Sequence, residues 1–227
     1  MVTVVFATII AAPTSNSVQT MTITCQSLLQ SHAPAWAQAT MHPFLDSCKA
    51  GTIRPEQFNT WLVQDYLFVK EFTRMAGRLL AAAPDHHMDT LLGGLTALKG
   101  ELLWFQDKAA ERDLDLLTPR QETCQQYCEF MASLVTVPYG VQVTAFWAIE
   151  YAYNQGWQQP GPMPEPYGEF AERWGNPAFT EYVDQLARQA DEALAVAPPA
   201  VQTSAEAAFL RVATLERSFW QMAFNAE

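Results

Sequence analysis

One stretch of the chain, residues 138–157, constrains the fold more than any other. Within it, residues 141–153 have helical spacing and a single charged residue, Glu150. A helix that is apolar around most of its circumference belongs in the interior of a fold. A carboxylate buried there is costly unless it is paired or does chemistry. Phe146 lies four residues before Glu150 and Tyr153 three after it, so the three side chains share one face and are suited to hold a flat, basic ring.

The charge of the chain narrows the classes of partner. The 227 residues include 13 Lys and Arg against 24 Asp and Glu, which gives a net charge of −11. Nucleic acid and anionic membrane surfaces bind clustered basic residues, so neither is a predicted partner. The apolar run at residues 138–153 is too short for a membrane span and contains a carboxylate. An acidic chain of this kind is predicted to be cytoplasmic and to bind a neutral or cationic small molecule.

The length favours one domain, and the N-terminal residues are expected to lie outside it. Residues 1–20 contain a short apolar run with no Lys or Arg before it, which a secretory signal normally has. Residues 1–20 are therefore predicted to be a poorly ordered extension, and residues 21–227 a single all-helical domain.

The remaining sequence has helical periodicity throughout. A first helix is predicted from Thr24 or Ser27 to about Thr40, and a last one after a cap at Thr203 or Ser204. No run of alternating polar and apolar residues indicates a sheet. The sequence therefore predicts an all-α, single-domain multi-helix bundle of about eight or nine helices.

Three acids lie on otherwise apolar helix faces: Asp65, Glu150 and Glu216. Any one of them alone is more simply explained as a structural residue at the edge of a stripe, with its carboxylate in water. Aromatic residues at helical spacing are likewise core residues by default. Three acids on separate helices, each flanked by aromatic residues, indicate a functional site more strongly than one does.

Metal and cofactor chemistry are not indicated by the sequence. Di-iron carboxylate bundles use Glu-x-x-His pairs, and the chain has none. His86 and His87 are interpreted as turn residues. The four cysteines contain no Cys-x-x-Cys pair and are predicted to be free thiols. No phosphate loop, Gly-x-Ser-x-Gly elbow or dinucleotide fingerprint occurs, so no cofactor and no metal is predicted.

Four motifs occur in order along the chain: WLVQDYLFVKEF (61–72), TAFWAIEYAY (144–153), RWGNPAF (173–179) and LERSFWQMAF (215–224). Together they resemble the TenA / thiaminase II family, specifically the branch found in plants and some bacteria that lacks the active-site cysteine. The resemblance extends from about Thr24 to the C-terminus.

The resemblance implies a fold, a reaction and an assembly state. It implies a haem-oxygenase-like all-α bundle that forms a homo-oligomer, a dimer or tetramer, and needs no cofactor. Family members hydrolyse aminopyrimidines from damaged thiamin to hydroxymethylpyrimidine, which is salvaged. In this branch the implied substrates are aminomethylpyrimidine and its N-formyl derivative.

The resemblance also implies roles for the acids. Asp65 matches the family aspartate that holds the aminopyrimidine, and Glu216 matches the glutamate that handles protons. Glu150 is then a second catalytic carboxylate, which would orient or activate water. Burial among aromatic residues should raise the pKa of such an acid toward the working pH.

The remaining predicted site residues bind substrate. Tyr127 matches a tyrosine that faces the ring, and Trp174 falls where cysteine-containing members have a tyrosine. Phe68 and Phe146 are predicted to help enclose the ring. Thr144 occupies the position of the nucleophilic cysteine, and a threonine without an adjacent base is a poor replacement. The chemistry is therefore expected to be acid–base rather than covalent.

Two other functions fit the same sequence. The missing cysteine is compatible with a non-catalytic protein that binds pyrimidines or acts as a regulator. A helical interaction protein with a dry core is the third alternative. Convergence of the three acids on one aromatic-lined pocket would favour the enzyme.

Overall fold

A computed structural model describes residues 23–227, which form a bundle of α-helices without any strand. The predicted all-α fold class is confirmed, while the extension predicted for residues 1–20 lies outside the described residues. Two short 3₁₀ turns occupy Asp85–His87 and Leu134–Thr136. The helices are α1 (Cys25–Ser31), α2 (Ala33–Thr40), α3 (Pro43–Ala50), α4 (Pro55–Ala82), α5 (Met88–Ala110), α6 (Glu122–Ser133), α7 (Tyr139–Gln158), α8 (Gly168–Gly175), α9 (Pro177–Ala195) and α10 (Pro199–Phe224).

Helix α7 is the central element of the bundle, as its scarcity of charge predicts. Sixteen of its 20 residues are buried, and it packs against α2, α4, α8, α9 and α10. A helix surrounded on all sides must be apolar around its whole circumference. Polar groups on α7 consequently face other protein atoms rather than water. The carboxyl group of Glu150 is one of them, so it is largely removed from solvent.

Two helix boundaries differ from the sequence prediction. The predicted first helix is divided: Thr24 and Ser27 form a capping box for α1, which ends at Ser31, and α2 begins two residues later. Pro34 lies in the first turn of α2 and cannot donate to a preceding helix, so the chain restarts there. Helix α10 begins at Pro199, before the predicted cap, because proline is well tolerated at the first helical position.

An aromatic cluster between α4, α7, α8 and α10 forms the centre of the core. Trp61 lies at its middle, with ring centroids 5.2 Å from Trp157 and 5.9 Å from Trp174. The four cysteines are buried and free, as predicted. None of the helices in residues 23–227 combines the length and the apolar character needed to cross a membrane.

Candidate active site

Asp65 lies fully buried on α4, in the middle of the apolar stripe that packs against the core. The Tyr153 hydroxyl, on α7, donates a hydrogen bond to Asp65 Oδ1. Asp65 Oδ2 has no hydrogen-bond partner among the described residues. Burial raises the pKa of Asp65 well above its usual range, the bond from Tyr153 lowers it, and the charges of Glu101 and Glu216 raise it further. The site thus contains a carboxyl group that favours its neutral form and has one oxygen free.

Glu216, on α10, forms the second buried acid pair. The Tyr127 hydroxyl, on α6, donates to Glu216 Oε1 at 2.5 Å, and both side chains are buried. Burial raises the pKa of Glu216 to about 8, although the bond from Tyr127 opposes the rise. Burial and the neighbouring Glu216 charge raise the pKa of Tyr127 well above its usual range, so the tyrosine remains a proton donor in this bond.

Phe68 connects the two pairs. It lies three residues after Asp65 on α4, and its ring centroid is 4.8 Å from that of Tyr127. The Phe68 ring is also parallel to that of Tyr153, with centroids 6.3 Å apart. The two acids therefore accept hydrogen bonds from two tyrosines that both lie beside the same phenylalanine.

A small cavity lies beside Tyr153 and Phe68, with Glu101 and Glu150 in its wall. Its volume is about 20 Å³, which is enough for about one water molecule. Trp174 of α8 also lines it, so α4, α5, α7 and α8 all contribute to the wall. The predicted residues Phe68, Glu150 and Trp174 thus meet at one cavity.

Glu150 is 8% exposed, and its environment favours the protonated form. Burial raises the pKa of Glu150 well above its usual range, the charge of Glu101 adds to the rise, and the nearby Tyr182 hydroxyl lowers it. The Tyr182 hydroxyl itself is buried and forms no hydrogen bond of ordinary geometry within residues 23–227. Gly94 permits this arrangement, because a Cβ atom at that position would lie 2.3 Å from the tyrosine oxygen.

Glu101 is a candidate functional residue that the sequence prediction missed. Trp174 Nε1 donates to Glu101 Oε1 at 2.5 Å. Burial raises the pKa of Glu101, whereas the bond from Trp174 and the charge of Arg173 lower it. The available signal was helical spacing, since Glu101 follows Leu98 by three residues and precedes Phe105 by four on the inward face of α5.

Five predicted site residues lie outside the cavity wall: Asp65, Tyr127 and Glu216, which form the two buried pairs, and Thr144 and Phe146 on α7. The Thr144 hydroxyl donates to the Gly140 carbonyl at 2.7 Å within α7. Phe146 stacks on Phe72, with centroids 4.7 Å apart, and so lies behind a residue that lines the cavity. The predicted residues therefore fall in three groups: the cavity wall (Phe68, Glu150, Trp174), the two buried pairs (Asp65, Tyr127, Glu216) and other buried positions on α7 (Thr144, Phe146). Of the three acids, only Glu150 lines the cavity.

Comparison with known proteins gives consistent matches. The model of the TENA/THI-4/PQQC family matches residues 29–226. A "Probable bifunctional TENA-E protein" of Glycine max is 34% identical over 207 residues, which cover 86% of this chain and 90% of the relative. An "Aminopyrimidine aminohydrolase" of Halalkalibacterium halodurans is 24% identical over 212 residues, covering 88% of this chain and 94% of the relative.

A solved structure also matches the fold. A TenA homologue from Pyrococcus furiosus superposes with a TM-score of 0.84 and 27% sequence identity. The superposition covers 88% of this chain and 98% of that chain. The similarity therefore includes nearly the whole bundle rather than a few helices.

Proposed function

Because the chain belongs to the TENA/THI-4/PQQC family, we propose that it is a thiaminase II-like hydrolase of thiamin salvage. Its proposed substrates are aminomethylpyrimidine, its N-formyl derivative, or both, and its proposed product is hydroxymethylpyrimidine. The observation that carries the proposal is that two buried acids, Asp65 and Glu216, each accept a hydrogen bond from a tyrosine beside Phe68. The names of the relatives from Glycine max and Halalkalibacterium halodurans support the substrate class.

Asp65 is the proposed binding group for the aminopyrimidine. Such a ring presents an amino donor beside a ring-nitrogen acceptor. A neutral carboxyl group matches this edge, because its hydroxyl can donate to the ring nitrogen while its carbonyl oxygen accepts from the amino group. Asp65 Oδ1 already accepts from Tyr153 and has a second lone pair, and Oδ2 has no partner. An unpartnered buried polar atom costs about 1–3 kcal/mol, which binding of the substrate would relieve.

The aromatic side chains around the cavity are the proposed walls for the ring. Phe68, Tyr153 and Trp174 present their side chains to the cavity, and stacked aromatic pairs contribute about 0.5–1.5 kcal/mol each. A cavity of about 20 Å³ does not hold a pyrimidine. Substrate binding is therefore expected to move these side chains, and Trp174 belongs to the short helix α8 rather than to the central bundle.

Glu216 and Glu150 are the proposed acid and base. Water oxygen would bond to the methylene carbon as the bond from that carbon to the amine nitrogen breaks. Glu216 would give its proton to the departing amine, and the ionised fraction of Glu150 would take a proton from the attacking water. The raised pKa of Glu150 makes that fraction smaller but a stronger base. A carboxyl group with a pKa of about 8 is protonated at neutral pH and can act as an acid. Glu101, in the same cavity wall, is a second candidate for orienting the water.

The test is turnover by the purified protein. We expect aminomethylpyrimidine to be converted to hydroxymethylpyrimidine, followed by chromatography. Glu216→Gln should lower kcat by about 10²- to 10⁴-fold, the range for loss of a general acid. Glu129→Gln, which removes an exposed carboxylate from α6, is the control and should leave kcat unchanged. Absence of turnover by the wild type, or normal turnover by Glu216→Gln, would refute the proposal.

A binding protein without hydrolysis is the second candidate. Thr144 occupies the position that the resemblance assigns to the nucleophile, and its hydroxyl is bonded to the Gly140 carbonyl. Calorimetry separates the two functions. The second function would be favoured if the pyrimidine binds the wild type, binds Asp65→Asn only weakly, and is not hydrolysed by either protein.

Self-association is a further part of the proposal. Leu92 and Leu103 are 46% and 55% exposed. They are eleven residues apart on α5, about three helical turns, and so share one face. We expect a homodimer or homotetramer by sedimentation velocity, and Leu103→Glu should shift the distribution toward monomer if this face is the interface.

A further inference from the structure

Three potential metal ligands meet at one place away from the buried acids. His86 and His87 form the 3₁₀ turn between α4 and α5, and Glu192 lies near the end of α9. Both histidine Nε2 atoms approach the same carboxylate oxygen, Glu192 Oε2, at 3.4 Å from His86 and 3.0 Å from His87. The potential ligand atoms of the three residues all lie within 4.8 Å of one another. The two histidines are turn residues, as the sequence analysis predicted. The sequence did not indicate that their side chains approach Glu192.

His87 is held in place from several sides. Its side chain is 3% exposed. Its Nδ1 lies 2.8 Å from the Tyr139 hydroxyl at the start of α7. The Gln189 side-chain amide, on α9, donates to the His87 carbonyl at 3.1 Å. The imidazole is thus fixed with Nε2 directed at Glu192, while His86 and Glu192 are 67% and 60% exposed and can adjust.

We propose that His86, His87 and Glu192 bind one divalent transition-metal ion, with Zn²⁺ as the preferred ion. Zinc bonds imidazole nitrogen and carboxylate oxygen at about 2.0–2.2 Å, so two ligands of a tetrahedral ion are about 3.4 Å apart. The separation of 3.4 Å from Glu192 Oε2 to His86 Nε2 matches that distance, and the 3.0 Å to His87 Nε2 is slightly shorter. All three ligand atoms lie within 4.8 Å of one another, so small side-chain adjustments would complete the geometry. Two histidines and one glutamate are a known zinc ligand set that leaves a fourth position open.

Tyr139 supplies the supporting contact that a metal-bound histidine needs. A histidine that binds a metal through Nε2 carries its proton on Nδ1 and donates it to a neighbouring oxygen. The Tyr139 oxygen is in position to accept that bond from His87. Without a metal, the proton on Nε2 can instead point at Glu192. The same contacts therefore serve both forms, and metal binding requires only a change of tautomer.

The surroundings leave room for a fourth ligand. The three residues line a surface groove of about 580 Å³ whose walls are mostly apolar, with Ala82, Pro84 and Val196 among them. A water molecule or a small anionic ligand can complete the coordination from this groove. Tyr139 and Glu150 are eleven residues apart on α7, about 16 Å along the axis, so the metal site is separate from the candidate active site.

The proposal is tested by metal binding to protein purified without a polyhistidine tag. Titration with Zn²⁺ against a chromophoric chelator should give one ion per chain, and Co²⁺ should give the visible bands of a tetrahedral ion. His86→Asn and Glu192→Gln should each weaken Zn²⁺ binding by more than tenfold, since loss of a supporting contact alone costs 10- to 100-fold. Both positions are exposed, so these variants should fold normally.

The chain contains a matched control. His32 Nε2 lies 2.7 Å from Glu206 Oε1, which is a histidine–glutamate pair with one imidazole instead of two. His32→Asn should leave the stoichiometry and affinity unchanged. Zn²⁺ should also raise the thermal midpoint of the wild type and of His32→Asn, and not that of His86→Asn. Failure of the wild type to bind Zn²⁺ would overturn the proposal, as would binding that persists in a His86→Asn, Glu192→Gln double variant.

Discussion

Replacing Glu216 with glutamine should remove a pH-dependent loss of stability. The pKa of Glu216 rises from 4.5 to about 8 in the folded protein because the carboxyl group is buried. The folded state therefore holds the proton more tightly than the unfolded state. The contribution of Glu216 to the free energy of unfolding is most favourable below about pH 4.5, declines as the pH rises toward 8, and is constant above pH 8. Glutamine is neutral throughout and lacks this dependence, while its side-chain oxygen can still accept from Tyr127.

The magnitude follows from the pKa difference. A group contributes about 1.4 kcal/mol for each pH unit between its unfolded and folded pKa values. Between pH 5 and pH 7.5, the free energy of unfolding of the wild type should therefore fall by about 3 kcal/mol more than that of Glu216→Gln. The buried amide group of glutamine adds a constant cost to the variant. That cost shifts its whole curve without changing the slope.

Urea denaturation at several pH values between 5 and 7.5 measures the effect. The quantity of interest is the difference in unfolding free energy between wild type and variant, followed across pH. Asp65 and Glu150 titrate in both proteins, so most of their contribution cancels. Glu129→Gln, at an exposed position, should give a difference that is flat across this range. If the difference for Glu216→Gln is also flat, Glu216 is not a buried acid with a raised pKa, and the assignment fails.

Two further substitutions test the surrounding packing. Gly94→Ala places a Cβ atom 2.3 Å from the Tyr182 hydroxyl and should destabilise the protein by about 1–3 kcal/mol in urea denaturation. The control is Gly93→Ala, whose added Cβ atom would have no neighbouring atom within 4 Å. This substitution should stabilise the helix by up to about 1 kcal/mol. Equal effects of the two substitutions on stability would contradict the close packing of Gly94 against Tyr182. Tyr153→Phe removes the donor to Asp65 and should lower the free energy of unfolding by about 1–3 kcal/mol. The same variant should bind the pyrimidine less tightly by calorimetry, and unchanged affinity would argue against the proposed pairing of Asp65 with the ring.

The sequence predicted the fold class and the central helix because both depend on periodicity. Helix α7 has one charge between residues 141 and 153, and such a segment is stable only when other helices cover it. The helix boundaries were less predictable. Pro34 divides the first helix, and Pro199 starts the last one. A proline can end one helix or begin another, so the position of a proline in the sequence did not show which of the two it does.

The candidate site was predictable only in part. Asp65, Glu150 and Glu216 were identified because acids on apolar faces are conspicuous in a sequence. Their partners were not, since Tyr127 and Glu216 are 89 residues apart and Tyr153 and Asp65 are 88 apart.

Sequence alone therefore determined which residues face inward, and tertiary structure decided which of them meet. Glu101 reaches the cavity, and Glu192 reaches His87, only through the packing of α5 and α9 against their neighbours. Helical periodicity specifies the face on which a side chain lies. It does not specify the rotation and axial position at which two helices pack, because these depend on how their side chains interlock over the whole interface.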